Sequence, residues 1–537
     1  MHLMLCFLAV VTPLLAQQGA KHAAREVEDS DAFFGSGSIV ELRIEISEPE
    51  LEKLKAENRS YVRCTVHEKG GLTYQSVAIK LKGAAGSFRE FDDRPALTLN
   101  SQKFKKGQSF HGLDKFHLNN SVQDETYLQE WLCEELFRSA RIPATRVTHA
   151  RVWLNDRDVG LYVLKEGFDK SFLQRHFDDP EGNLYDGGFV QDIDAELEKD
   201  AGKGPDDRSD LAALVEACRT PELEERWKRI DELLDVEQFI TFMAMELMTG
   251  HWDGYTQNHN NYRIYFDPTG HKAHFLPHGM DQMFGDVGAS VLDYPGSIVS
   301  STVMQNTEWR ARYRQRLGEL LPLFSPSDKL LTQTDVIRQR LRPILEAIDP
   351  QLAIDHDERV ENLKERLVAR GENLRQQHEQ PDPQPPEFDE SGSLQLSDWY
   401  EVTESEDAVL DDIELPGEKK VHAMICGRSG HCIASWRRKV LLARGNYTLH
   451  AMVRTINVTP IEDEKGSGAR IRISGSERAN TIAGTSCWTS LEFDFTVAED
   501  LREVELIAEL RAAHGQAWFQ NESLRLSRTP THENERN

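Results

Sequence analysis

Asp253 and Asn258 lie five positions apart in His251-Trp252-Asp253-Gly254-Tyr255-Thr256-Gln257-Asn258, just after a stretch with helical spacing. Phosphoryl transfer asks for this chemistry. A carboxylate orients a hydroxyl or accepts its proton, and nearby oxygen ligands hold magnesium. A second carboxylate, Asp281, follows in Gly279-Met280-Asp281-Gln282-Met283-Phe284-Gly285. Two short strands around Tyr262 to Phe275, joined by the turn Asp267-Pro268-Thr269-Gly270, separate the two segments. An Asp and an Asn at this spacing often occur by chance; the hairpin and the second Asp make the set more specific.

Kinase catalytic loops place these groups as H-R-D-x-x-x-x-N. Here His251, Trp252, Asp253 and Asn258 fit, with Trp in place of Arg. No G-x-G-x-x-G is present; the small-residue loop is only Lys82-Gly83-Ala84-Ala85-Gly86-Ser87. Other chemistries lack their signatures. There is no H-E-x-x-H, no C-x-x-C and no G-x-S-x-G. The acidic run Gln191-Asp192-Ile193-Asp194-Ala195-Glu196 lacks EF-hand spacing and reads as a solvated turn.

The elements that must position these residues change character along the chain. Ile39 to Ile46 alternates as a strand, and Ser47 with Glu50 suggests a capping box opening a short helix. Strands are expected at Tyr61 to Glu68, Ser76 to Lys82, Ala96 to Asn100, Thr148 to Leu154 and Gly160 to Glu166. Tyr127 to Ser139 has helical spacing, as do Leu211 to Cys218, Pro221 to Leu234, Val236 to Met248 and Glu308 to Phe324. Helix is expected in pieces from Lys329 to Gln376, interrupted at Pro343 and Pro350. A sheet-rich half followed by a helix-rich half suggests two lobes with a cleft between them.

Gln380-Pro381-Asp382-Pro383-Gln384-Pro385-Pro386 is a proline-rich linker. Beyond it, short alternating stretches at Tyr447 to Arg454, Ala469 to Ile473, Leu491 to Val497, Val504 to Leu510 and Ala517 to Leu526 predict a β-sandwich or jelly roll. Trp399, Trp436, Trp488 and Trp518 suggest glycan-stacking platforms, although core packing is the commoner fate of such residues.

The 537 residues carry 63 basic and 90 acidic side chains, a net charge of -27. That balance repels nucleic-acid backbones, while a local basic cleft remains able to hold a phosphate. Leu3 to Leu15 is apolar and too short to span a bilayer, and it predicts a secretory leader cut near Ala16. No other stretch is long and apolar enough for a transmembrane helix, so the expected location is secreted, periplasmic or cell envelope. Six cysteines remain after such a cut, and export permits a bond such as Cys426 to Cys432.

The chain resembles the spore coat protein H (CotH) kinase-like family, notably its exported bacterial members. The matching stretches are Arg94 to Leu97, Lys103-Phe104, Phe110 to Asn120, Gly160 to Glu166, Gly182 to Tyr185, Trp252-Asp253 with Asn258 to Tyr262, and Pro277 to Gly285. The resemblance implies an α+β fold: an atypical protein-kinase-like two-lobed domain, followed here by the β-sandwich. It implies binding of ATP with Mg2+ or Mn2+ and phosphorylation of Ser or Thr on an exported protein. Position by position, Asp253 is similar to the catalytic-loop Asp, Asn258 to a metal ligand and Asp281 to the main metal-binding Asp. Lys103 matches a family lysine, with Lys82 and Lys80 as rivals for the phosphates. Glu130 or Glu134 would pair with the lysine, and Glu166 would face the adenine. The family's Trp-Asp-x-Asp is here His278-Gly279-Met280-Asp281, so one carboxylate is absent. The expected layout is a leader at 1–16, the kinase-like domain at 37–378, the linker at 379–392 and a carbohydrate-binding-like β-sandwich at 393–530. The competing reading is a non-catalytic structural or adhesive envelope protein that binds glycans through its β-domain.

Overall fold

The computed structural model describes residues 26–529 except 294, 326–327, 416–419, 428–429, 463 and 465. The leader expected at 1–16 lies outside the described residues. The chain mixes helices and strands and divides into two compact units. The first runs up to Val303 and includes Trp309–Gln380; the second comprises Met304–Glu308 and the chain from Pro381 onward. No helix among the described residues is long and apolar enough to cross a membrane.

Period-two alternation in the first unit builds β1 (Val40–Glu45), β2 (Val62–Glu68), β3 (Thr73–Lys82), β4 (Ala96–Asn100), β5 (Lys115–Asn119), β6 (Val147–Leu154) and β7 (Arg157–Glu166). They close into a barrel in the order β1-β2-β3-β4-β5-β7-β6, sealed by parallel pairing of β1 with β6. Alternate residues fill its interior, among them Ile79, Leu81, Leu97, Leu99, Phe116, Leu118 and Leu164. The intervening residues, including Lys80, Lys82, Thr98, His117, Asn119 and Lys165, therefore project from the outer face. The five-residue β5 was not expected from alternation, because Lys115-Phe116-His117-Leu118-Asn119 places only two apolar residues on its inner side.

Helices α1 (residues 26–35), α2 (Glu48–Ala56), α3 (Gln129–Ser139) and α4 (Lys170–His176) accompany the barrel. The capping box expected before α2 does not form. Ser47 makes no side-chain cap, and the Glu50 carboxylate instead accepts from the Arg63 amide at 2.8 Å and Lys53 at 2.6 Å. A second sheet follows in the order β11-β10-β8-β9, from β8 (Leu184–Asp186), β9 (Glu198–Ala201), β10 (Tyr262–Asp267) and β11 (Lys272–Pro277). The remaining helices are α5 (Ser209–Arg219), α6 (Leu223–Leu233), α7 (Val236–Thr249), α8 (Tyr255–Asn258), α9 (Ile298–Gln305), α10 (Thr307–Phe324), α11 (Asp328–Ile348) and α12 (Pro350–Glu379). The break expected at Pro343 is absent, since α11 runs through it. Pro350 starts α12 instead, at a first-turn position where its missing N–H costs no intrahelical bond.

The second unit contains β12 (Ser393–Gln395), β13 (Tyr400–Thr403), β14 (Ala408–Glu414), β15 (Lys420–Cys426), β16 (Cys432–Thr459), β17 (Gly468–Ile473), β18 (Gly484–Ala512), β19 (His514–Gln520) and β20 (Arg525–Thr529). The stretches read at Leu491 to Val497 and Val504 to Leu510 merge into the 29-residue β18, the one at Tyr447 to Arg454 extends into the 28-residue β16, and the one at Ala517 to Leu526 divides between β19 and β20. The pairing of β16 with β18 shifts register between Ala443 and Gly445. A disulfide joins Cys426 to Cys432. Trp436 is buried and stacks on His422 at 4.4 Å, while Trp399, Trp488 and Trp518 are half-buried. None of the four stands exposed as a sugar platform.

Arg370 on α12 ties the first unit together. Its fully buried guanidinium donates to the carbonyls of Leu247 (2.7 Å), Met248 (3.0 Å), Val287 (3.1 Å) and Ala289 (2.6 Å). Burial lowers its pKa to about 10. Arg370→Met should cost about 3–5 kcal/mol, because it strands buried carbonyls. Arg370→Lys should recover only part of that, since an ammonium cannot span four acceptors. Urea unfolding midpoints of the two variants check both outcomes.

Candidate functional site

A cavity of about 760 Å³ opens in the first unit. One wall is the outer face of β3, β4 and β5; the other comes from the segments around His251–Asn261 and His278–Met283. Strand alternation puts Lys80 and Lys82 on the same face, so both reach the cavity. Lys103 joins them from the loop after β4 and is exposed. The ammonium groups of Lys80 and Lys103 each lie 4.9 Å from the Tyr61 ring centroid. No carboxylate pairs with Lys80, Lys82 or Lys103 among the described residues. Burial lowers the pKa of Lys82 to about 8, and its ammonium donates to Asn119 Oδ1 at 2.6 Å. Arg59, Lys115 and Arg263 line the cavity as well, but so do Glu130, Asp186, Glu198, Asp200, Asp253 and Asp281, so the cavity carries both signs and is not the basic cleft that phosphate binding suggested.

The opposite wall is built by the end of α7. Gly250 takes the left-handed conformation (φ 70°), which lets its N–H cap the helix carbonyls of Glu246 and Leu247. The buried Glu246 carboxylate turns back to accept from the amides of Tyr255 (3.1 Å) and Thr256 (2.8 Å), starting the one-turn α8. Gly254 permits this approach, because a Cβ there would lie 2.5 Å from Glu246 Oε1. The intervening chain presents Asp253 to the cavity.

Three asparagine amides hold Asp253. Asn258 donates to Oδ1 at 2.5 Å; Asn260 and Asn261 donate to Oδ2 at 3.0 and 2.8 Å. Asn261 also reaches the Asp253 carbonyl at 3.1 Å. A carboxylate has about four lone-pair positions; three donors leave it oriented yet able to accept a further proton or hydroxyl. Its neighbour Gly279 has φ +59°, and a Cβ there would meet Asn261 Oδ1 at 2.2 Å. The position where the resemblance leads one to expect a carboxylate is thus filled by the Asn261 amide.

Asp281 lies on the same cavity wall. Burial, with added repulsion from Glu130 and Asp124, raises its pKa to about 7. Its segment is tied to α3, since the Met283 amide donates to Gln129 Oε1. The next residue on α3, Glu130, also faces the cavity. Glu130 accepts from Lys165 at 3.1 Å and from Asn119, and Lys165 pairs with Glu134 at 2.6 Å. Burial opposes charge on Glu130, but Lys165 and Lys82 prevail and hold its pKa below the usual carboxylate range. Lys82, Asn119, Glu130, Lys165 and Glu134 form one hydrogen-bonded chain from the cavity into the interior.

The structure thus gathers Asp253, Asn258, Asp281, Lys82, Lys103 and Glu130 around one cavity. Glu166 is not brought there. It is fully buried and held by Arg146 and Arg175, each at 2.7 Å, so no carboxylate oxygen is left to face a base. The lysine that meets Glu130 and Glu134 is Lys165, which sequence reasoning missed. Its signal was the alternation of β7, which sends Lys165 outward beside the inward Leu164. The acidic run at 191–196 is structural: Asp192 accepts from Tyr255 Oη at 2.9 Å and from the Ile298 amide at 2.7 Å.

Among the described residues, no group of three or more His, Cys, Asp or Glu side chains is arranged to hold a metal ion. Magnesium needs no such cage, since one or two carboxylates plus substrate phosphates and water suffice. Asp281 receives no side-chain donor among the described residues, and Asn258 keeps its amide oxygen open while its Nδ2 serves Asp253. This oxygen-rich donor set fits a hard divalent cation.

Two outcomes follow from this geometry. In metal-free protein, Asp281 stays protonated to about pH 7 when folded but ionises near its ordinary value when unfolded. The unfolded state then binds fewer protons, so this group lowers stability as pH rises through that window. Asp281→Asn should therefore raise the melting temperature at pH 8 and leave it unchanged at pH 3, which scanning calorimetry in chelator measures. Gly279→Asp should lower stability by about 1–2 kcal/mol or more, because it forces a side chain into the left-handed region and onto Asn261; urea titration reads this directly.

Comparison with known proteins places this site in a family. The family model described as CotH kinase protein matches residues 79–374, more than half of the chain. Spore coat protein homolog 1 of Rhizopus delemar is 27% identical over 235 residues, covering 37% of each chain. Invasin CotH2 of the same fungus is 24% identical over 270 residues, covering 43% of this chain and 44% of that one. The chain thus spans less than half the length of these relatives. Inner spore coat protein H of Bacillus subtilis is 20% identical over 273 residues, 46% of this chain and 73% of that protein. Among solved structures, the Helicobacter pylori proinflammatory kinase CtkA is 12% identical, covering 50% of this chain and 94% of that one at a TM-score of 0.23. TmCBM61 in complex with β-1,4-galactotriose is 12% identical and covers 25% of this chain and 90% of that one at 0.19. Scores this low establish no shared fold. Relatives occur in both fungi and bacteria, and on the family match this chain belongs to the CotH kinase protein family.

Proposed function

We propose that the cavity transfers the terminal phosphoryl group of ATP to a Ser or Thr hydroxyl of an exported protein. The observation that carries this reading is Asp253, held by three amides and facing a cavity that also holds Asp281 and unpaired lysines. Asp253 would orient the acceptor hydroxyl and take its proton as the oxygen bonds to phosphorus. The bond from phosphorus to the bridging oxygen breaks, and the diphosphate leaves. Lys82, Lys80 and Lys103 would hold the phosphates, and a divalent cation at Asp281 and Asn258 would neutralise their charge. The two cavity walls would act as the two lobes. The expected leader and the names of the spore coat relatives support a place at the cell envelope or surface.

A second reading has one specific support, the invasin names of fungal relatives. In it the protein is an adhesive or structural envelope module and the β-unit binds glycans. Calorimetry with ATP and Mn2+, set beside glycan titrations, separates the two.

Incorporation of labelled phosphate from ATP tests the leading reading. Asp253→Ala should lower the rate by about 10²–10⁴-fold while nucleotide affinity persists. Asp281→Ala should lose metal-dependent nucleotide binding as well as transfer. Equal incorporation by wild type and both variants would overturn the proposal.

A further inference from the structure

Eight large hydrophobic side chains stand exposed among the described residues, and three of them line the rim of this one cavity. They are Phe189 (59% exposed), Val190 (47%) and Trp252 (53%). An isolated exposed apolar residue needs no explanation, but convergence of three on a site does. Trp252 directly precedes Asp253 in the chain.

The backbone beneath them is costly. Val190 has φ +51°, a conformation strongly disfavoured for a β-branched residue. It is nonetheless firmly held. The Gly187 amide donates to the Tyr262 carbonyl at 3.1 Å, and the Gln191 amide to that of His259 at 2.9 Å. Tyr262 Oη donates to the Gln191 carbonyl at 3.0 Å. The loop bearing Phe189 and Val190 is thereby fixed on both flanks to the segment that carries Asn258, Asn260 and Asn261.

We infer that Phe189, Val190 and Trp252 form an apolar lip that selects the acceptor. The occupant is a protein segment presenting its Ser or Thr hydroxyl with a large apolar residue next to it. This rests on the phosphotransfer reading in one respect only: it is Asp253 that the hydroxyl must reach. A segment that delivers a hydroxyl there passes Trp252, and an apolar neighbour gains burial against the lip. The phosphates have a separate place, since Lys80, Lys82 and Lys103 stand on the barrel wall and the lip carries no charge.

The test uses the full chain and two synthetic serine peptides that differ only in the residue after the serine, Phe or Gly. Calorimetry measures peptide binding with and without a non-hydrolysable ATP analogue and Mn2+. The Phe peptide should bind about tenfold more tightly, as burial of an aromatic side chain allows. Phe189→Ser and Trp252→Ser should abolish the preference and leave analogue affinity within about twofold of wild type. Equal binding of the two peptides overturns the lip. So does loss of analogue affinity in the lip variants, which would make the lip part of the nucleotide pocket. Self-association in sedimentation that the lip variants abolish would also overturn it, identifying a second copy as the occupant. A parallel incubation with labelled ATP and Mn2+ separates the two readings: preserved peptide preference with no phosphate transferred to either peptide would reject the phosphotransferase reading and leave the lip standing.

Discussion

One buried cation sets where the two site carboxylates stand. Arg370 takes carbonyls from residues 247 and 248, just before Asp253, and from 287 and 289, just after Asp281. Gln377, two turns further along α12, adds to the same seam by donating to the Ala289 carbonyl and accepting from the Val291 amide. The Leu247 carbonyl at the end of α7 accepts only the long bond from the Gly250 amide, and that of Met248 accepts from no backbone amide among the described residues, so both have room for a further donor. A planar guanidinium meets them and the following loop at once, and its fork has little freedom to do so in another arrangement. Both carboxylate-bearing segments are thus referred to one helix.

The barrel supplies the opposite sign through its alternation. Inward residues make an apolar core, so outward residues of β3 to β5 are free to be polar, and they face the cavity. Lys82 titrates near 8 and Asp281 near 7, displaced in opposite directions by the same cause, desolvation. Each shift says that the charged form lacks enough compensation from the protein. A ligand that carries phosphate together with a cation would supply both missing partners.

The strands and most helices were legible because burial on one face imposes period two or 3.6. Asp253, Asn258 and Asp281 were legible because they are local in sequence or fit a known order of segments. What escaped depends on contacts between remote segments. Lys165 and Glu166 are adjacent letters, yet alternation sends one to Glu130 and Glu134 and the other to Arg146 and Arg175. Alternation says that they part, but not which remote partners each will meet. Arg370 reads as one more charged residue on an amphipathic helix, and only packing reveals that it is fully buried. The long β16 and β18 were hidden because a bulge and a turn leave similar marks in sequence.

Gly279 shows how a departure in sequence becomes intelligible only in three dimensions. In sequence it is a missing carboxylate. In the structure the space a side chain would need belongs to Asn261, whose amide donates to Asp253. The site therefore holds one anion fewer than the resemblance implies. With a second carboxylate beside Asp281, repulsion would raise the cost of ionising both in a desolvated cavity. Without it, Asp281 meets repulsion from Glu130 and Asp124, and Asn261 keeps the position from which its amide orients Asp253. In this backbone a side chain at 279 would displace that amide, so the anion that the resemblance implies and the present hold on Asp253 exclude one another.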